Sequence, residues 1–199
     1  MRQQIIVTIG REYGSGGHYI AQQLAARLGI RLYDRALIDG TVKASGYQQA
    51  LVDKNDEKPV NIFLSRRVSG YSNSIEENVA EQVFSFLRGR AEAGESFVVV
   101  GRCSDSVLRH NPNALHFFIL ADKETKVERI VSLYHLSEKE ALDKMLRADK
   151  KRRTYHNYYS DMKWGDSRGY DLCVNSGRLG IEQTIDVLLE YIRRFQENG

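Results

Sequence analysis

The sequence is short of the residues that mark specialised chains. Two prolines in 199 residues exclude a Pro-rich linker or a collagen-like repeat. Two cysteines, Cys103 and Cys173, are too few for a disulfide scaffold or a four-ligand zinc site, and both read as buried or nearly buried thiols. Apolar runs stay far below the roughly 18 residues of a membrane-spanning helix. The N-terminal apolar stretch is too short for a signal-peptide core and lacks a small-residue cleavage site. The expected location is therefore the cytoplasm, with no membrane partner. Charge of one sign is scarce too: 29 basic against 26 acidic residues leave a net +3, which by itself does not make a nucleic-acid binder.

What is present fits a soluble globular chain with a real core, at 42% hydrophobic and 28% charged residues. The length suits one domain, or one domain with a lobe inserted in it. Ile5 to Ile9 is a nearly continuous β-branched run, as in a strand buried on both faces of a parallel sheet. Ile20, Ala21, Leu24, Ala25 and Leu28 then repeat at helical spacing, with Gly29 placed to end the helix. Ile30 to Tyr33 reads as a second strand ending at Asp34. Further strands are expected at Phe97–Val100, Leu115–Leu120 and Tyr170–Val174. Helices are expected behind Ser74, over Ser104–Arg109, behind Asp122 and Ser137, and through Ile181, Ile185, Leu188 and Ile192. Ser74 with Glu77, and Ser137 with Glu140, have capping-box spacing. Strands alternating with helices imply βαβ units and a three-layer α/β domain.

The first βα junction carries the chemistry. Arg11-Glu12-Tyr13-Gly14-Ser15-Gly16-Gly17-His18 joins a buried strand to a helix. Backbone N–H groups converge there at the positive end of the helix dipole, and glycines let an anion approach them. The dinucleotide pattern G-x-G-x-x-G fails, because its third glycine falls on Tyr19. The P-loop pattern G-x-x-x-x-G-K-[ST] fits in shape, with Arg11 at the first glycine, Gly17 at the lysine and His18 at the hydroxyl residue. That lysine ordinarily reaches the β- and γ-phosphates. The cations that could replace it are Arg11, His18 and the basic block Lys150, Lys151, Arg152 and Arg153. A solvated helix face is the bland alternative for that block. Its interleaved Tyr155, Tyr158 and Tyr159 also resemble an RNA-binding pattern, a reading outweighed here by the small net charge.

Four segments in order, REYGSGG (Arg11–Gly17), LYDR (Leu32–Arg35), VVVGRCSD (Val98–Asp105) and KWGDSRGYDLCVNS (Lys163–Ser176), make the chain resemble the cytidylate kinase-like family of P-loop nucleoside monophosphate kinases. The resemblance implies a P-loop fold with a five-stranded parallel sheet, a helical nucleotide-binding insertion at residues 40–74 and an arginine-rich helical lid at residues 147–168. By the same resemblance Gly14, Ser15, Gly16, Gly17, His18 and Tyr19 would cradle the phosphates of ATP, with Mg²⁺ expected and its ligands unassigned. Asp34, Arg35, Arg102 and Asp105 would meet the acceptor, although Asp34 also suits a helix cap and Asp105 the start of the next helix. Arg66 and Arg67 are further acceptor-phosphate candidates. Arg11, His18, Arg152 and Arg153 would neutralise charge during transfer. Trp164 would stack on a base or anchor the return of the lid, and Asn175 and Ser176 would lie beside the adenine. Cys103 stands where cytidylate kinases place an aspartate after the arginine. The expected activity is transfer of the γ-phosphoryl of ATP to a nucleoside monophosphate such as cytidylate. The alternatives are a catalytically weak nucleotide-binding or regulatory module without the lysine, and a kinase for another small acceptor. The partners are small-molecule nucleotides, with no nucleic acid; oligomeric state is not legible.

Overall fold

The computed structural model describes residues 3–44 and 75–198. Strands β1 (Ile6–Arg11), β2 (Arg31–Tyr33), β3 (Phe97–Val100), β4 (Ala114–Leu120) and β5 (Leu172–Asn175) form one parallel sheet in the order β2-β3-β1-β4-β5. Strand β1 is central because it is apolar on both faces. It pairs Ile6 with Phe97 on one side and with Ala114 on the other. Its period of two sends Val7 and Ile9 to one face, and Ile6 and the fully buried Thr8 to the other. Thr8 is the polar exception, and its hydroxyl hydrogen-bonds His116 Nδ1 of β4 at 2.9 Å.

Helices cover both faces. Helix α1 (Gly17–Leu28) and the C-terminal helix pack Ile20, Leu24, Ile185, Leu188 and Ile192 against Val7 and Ile9. Each such side chain, fully buried, stabilises by about 2 kcal/mol. On the other face, α3 (Ile75–Glu92) packs Val83, Phe84 and Leu87 against Ile6, Phe97 and Val99. Helix α2 (Arg35–Ala44) follows β2, a one-turn α4 (Ser104–Val107) follows β3, and α5 (Lys123–Tyr134) follows β4. Helix α6 (Glu138–Tyr159) opens on the capping box of Ser137 and Glu140, with both reciprocal bonds made. After β5 come a single-turn α7 (Ser176–Leu179) and α8 (Ile181–Asn198). Gly29 ends α1 at φ 67°, its N–H bonded to Ala25 and Ala26 carbonyls.

Several boundaries move. Strand β1 runs on to Arg11 because β4 continues to pair with it through Ile119. Strand β5 begins at Leu172, because the ring of Tyr170 turns into a cluster with Phe118. The helix expected to Arg109 stops at Val107. Asp122 holds the N-cap position of α5 without a side-chain cap bond; its carboxylate instead meets Asn175 Nδ2 and Arg178. Of the expected insertion, Gly40–Ala44 belongs to α2, while 45–74, with Ser74, Arg66 and Arg67, lie outside the described residues. The expected lid begins as the C-terminal half of α6. Among the described residues no helix is long and apolar enough to cross a membrane.

Candidate active site

The glycine loop leaves β1 and enters α1 through two left-handed residues, Gly14 (φ 85°) and Gly16 (φ 79°). A side chain at Gly14 would press on the Lys126 carbonyl at 2.9 Å, so glycine is required there twice over. Ser15 is fully buried, and its hydroxyl donates to Glu12 O at 2.8 Å. Among the described residues the amides of Gly16, His18 and Tyr19 meet no protein acceptor. Orphan amides at the head of a twelve-residue helix make an anion-binding end. His18 and Tyr19 are exposed beside it.

Positive charge gathers at the same end of the sheet. Arg11 projects from the last position of β1, with its Nε fully buried and unbonded among the described residues. Burial first, then the like charges of Arg152 and Arg102, push its pKa down to about 9; Arg35 adds to this and Asp149 opposes it. Arg102 arrives by a strained route. Gly101, Arg102 and Cys103 are three successive left-handed residues, at φ 69°, 60° and 55°. Two of these carry side chains, each costing about 1–2 kcal/mol in that conformation. Such strain persists where surrounding contacts fix it, and it clusters at functional sites.

Helix α6 is docked on the loop. Asp149 Oδ1 accepts from Tyr13 N–H at 2.7 Å, and Arg152 Nη1 donates to Arg11 O at 3.0 Å, with its guanidinium 5.3 Å from the Tyr13 ring centre. Burial lowers the pKa of Arg152 and raises that of Asp149. One turn on, the buried His156 meets the buried Asp105 at 2.7 Å. Tyr155 and Tyr159 pack inward on the α3 side and serve the core, whereas Tyr158 is exposed with its hydroxyl on Glu77. Arg153 is not brought to the loop: its guanidinium lies 5.6 Å from the Trp164 ring centre. Trp164 packs edge-on to Phe118 and gives its N–H to Asn157, which anchors the return from α6 to the sheet.

Asp34 divides its carboxylate. Oδ1 caps α2 by accepting from Leu37 N–H at 2.9 Å, and Oδ2 lies 3.9 Å from His18 Nε2. Asp105, expected beside an acceptor, is instead buried against His156 with the Tyr170 hydroxyl near it. Cys103 Sγ, Asp105 and a ring nitrogen of His156 lie within 4.8 Å of one another, a sulfur, oxygen and nitrogen set of the kind zinc accepts. Burial and then Asp105 push the Cys103 thiol up to about 12, and Asp105 already holds His156, so the trio is a tie between α4 and α6. Magnesium prefers oxygen. His18 offers nitrogen where the P-loop pattern has a hydroxyl, and Asp34 Oδ2 is the carboxylate oxygen beside it.

A family model described as the cytidylate kinase-like family matches residues 6–178. The chain belongs to the cytidylate kinase-like family. It is 22% identical over 181 residues to a cytidylate kinase of Sulfolobus acidocaldarius, spanning 91% of this chain and 90% of that protein. The crystal structure of an uncharacterized protein from Eubacterium ventriosum is 37% identical, with a TM-score of 0.77 over 96% of this chain and 99% of that one. A gluconokinase from Sinorhizobium meliloti is 13% identical, with a TM-score of 0.54 over 100% of this chain and 97% of its own. A shikimate kinase from Bacteroides thetaiotaomicron is 14% identical, with a TM-score of 0.51 over 95% and 98%. At those identities the two kinases show the fold alone, the three-layer P-loop kinase fold. Within the family pattern, the residues that sequence reasoning missed are the ones that brace the loop. Arg129 of α5 donates to Ser15 O, Ser176 Oγ and Ser176 O, joining the glycine loop to the turn after β5. Lys126, one turn earlier, pairs with Glu12 at 2.8 Å. Their spacing of three on one helix face was the available signal.

Proposed function

We propose that this chain moves the γ-phosphoryl group of ATP to a nucleoside monophosphate, with cytidylate the first acceptor to test. One observation carries the reading: the buried Arg11 guanidinium feels the like charges of Arg152, Arg102 and Arg35 beside a loop of orphan amides, with Asp149 as the opposing carboxylate. Unliganded, such a cluster is repulsive; an oligophosphate would turn the repulsion into attraction. The amides of Gly16–Tyr19 would hold the donor phosphates. Arg102 and Arg35 would hold the acceptor phosphate, for which a guanidinium fork is the right shape. An oxygen of the acceptor phosphate attacks the γ-phosphorus, the bond to the β,γ-bridging oxygen breaks, and the electron pair leaves on ADP. The attacking oxygen is already anionic, so positioning and charge neutralisation do most of the work. Asp34 is the residue that would hold magnesium, which would supply charge neutralisation at the phosphates.

A coupled assay with ATP, Mg²⁺ and a panel of nucleoside monophosphates tests this directly. Turnover with a pyrimidine monophosphate supports it. Turnover only with a non-nucleotide acceptor moves the reading to a kinase for another small molecule. Tight ATP binding without transfer to any acceptor leaves the second reading, a nucleotide-binding module, which the glycine at position 17 favours.

A further inference from the structure

We infer that Arg11 is the phosphate-binding cation of this site, and that position 17 is glycine because the stem of Arg11 occupies the space a side chain there would need. The inference rests on the phosphotransferase reading and says which group does the work of the absent lysine. A Cβ built on Gly17 would lie 2.5 Å from Arg11 Cβ and 3.1 Å from Arg11 Cγ. Arg11 Cβ is carried by the last residue of β1, still paired with Ile119 of β4, so the backbone there resists stepping aside. A lysine at 17 and any side chain at 11 therefore exclude each other. In the P-loop pattern position 11 is glycine and position 17 is lysine; here the glycine and the basic residue have traded places.

The tip of Arg11 has its own slot. A Cβ on Gly101 would overlap Arg11 Nη1, so the guanidinium lies against a second residue that has to lack a side chain. Gly17 begins α1 at the end of the donor loop, and Gly101 opens the turn to Arg102. Arg11 spans them, which puts its planar fork between the amides that would hold the donor and the arginine that would hold the acceptor. A fork can bond oxygens of two phosphates at once, where an ammonium acts as a point charge. The buried, unbonded Nε shows a donor without a protein acceptor among the described residues. Of the rival cations, Lys150 and Lys151 are exposed on α6, and the other three have partners elsewhere. Arg152 binds Arg11 O and lies beside Asp149, Arg153 sits over Trp164, and His18 faces Asp34.

The test is calorimetric titration with Mg-ATP of the full chain and of R11M, R11G/G17K and G17K, with thermal melts of each variant in the absence of ligand. R11M keeps the apolar stem and removes the charge, so it should melt near the wild type yet bind ATP about 30-fold or more weakly, the loss of one charge-assisted contact. R11G/G17K should recover binding to within a few-fold of the wild type, whereas G17K alone should melt lower. Wild-type affinity in R11M, with the wild type binding ATP, overturns this inference alone. If the wild type gives no heat with millimolar ATP, the phosphotransferase reading falls and takes this inference with it. A G17K variant that melts like the wild type overturns the steric exchange.

Discussion

Replacing His156 with alanine probes the contact that sets the spacing of the arginine cluster. His156 lies on α6 one turn beyond Arg152, and Asp105 lies three residues beyond Arg102, so their contact ties the two arginine-bearing segments together. Both side chains are 6% exposed and meet at 2.7 Å. Losing a buried hydrogen bond to a carboxylate costs about 1.5–3 kcal/mol, because the acceptor stays buried without its donor. The space left by the imidazole adds about 1 kcal/mol. The sum is roughly 3 kcal/mol, which lowers the melting temperature of a chain this size by about 10 °C. H156Q can still reach Asp105 with an amide N–H and should recover about half of the loss. Melting followed by circular dichroism at neutral pH reads both variants. A shift under about 2 °C for H156A, or equal damage from H156Q, would refute the reasoning that this bond holds α6 to the sheet.

Other outcomes follow from the same geometry. R152A should weaken ATP binding by about tenfold, since it removes a charge beside Arg11 and a tie to its carbonyl, while R153A should stay within about threefold because its guanidinium is over Trp164; calorimetry separates them. Inorganic tripolyphosphate at 100 times its dissociation constant should stabilise the fold by about 2.7 kcal/mol, and sodium chloride at the same ionic strength should not, as read by thermal melts. Cys103 should resist alkylation at pH 8 in the native protein. Its folded pKa, raised to about 12 by burial and by Asp105, keeps it protonated there, and mass spectrometry should find it modified only after unfolding. The raised value also makes the folded form bind more protons than the unfolded one above pH 9, so this group's contribution to stability is lost as pH climbs from there.

Local signals were the legible ones. The β-branched run of β1, the Phe97–Val100 strand and the Ser137–Glu140 box each depend on neighbours in sequence, and the structure places all three near where the pattern did. The glycine loop was legible as well, because left-handed backbone and close approach leave a mark in residue type. Contacts across the fold were not. His156 reads as one more member of a basic run until Asp105 appears beside it from a turn 51 residues away. Arg153 and Arg152 are adjacent in sequence, yet helical rotation sends one to Trp164 and the other to the loop. The glycine at 17 looks like a lost lysine in sequence; in space it is where Arg11 passes. The left-handed run of Gly101, Arg102 and Cys103 has no sequence mark beyond its glycine.

The most direct measurement is a crystal structure with a non-hydrolysable ATP analogue and cytidylate bound. The account predicts β- and γ-phosphate oxygens on the amides of Gly16–Tyr19, the Arg11 guanidinium touching the γ-phosphate, and Arg102 on the acceptor phosphate. A triphosphate seated elsewhere, or one on the loop with Arg11 turned away from it, would contradict the account.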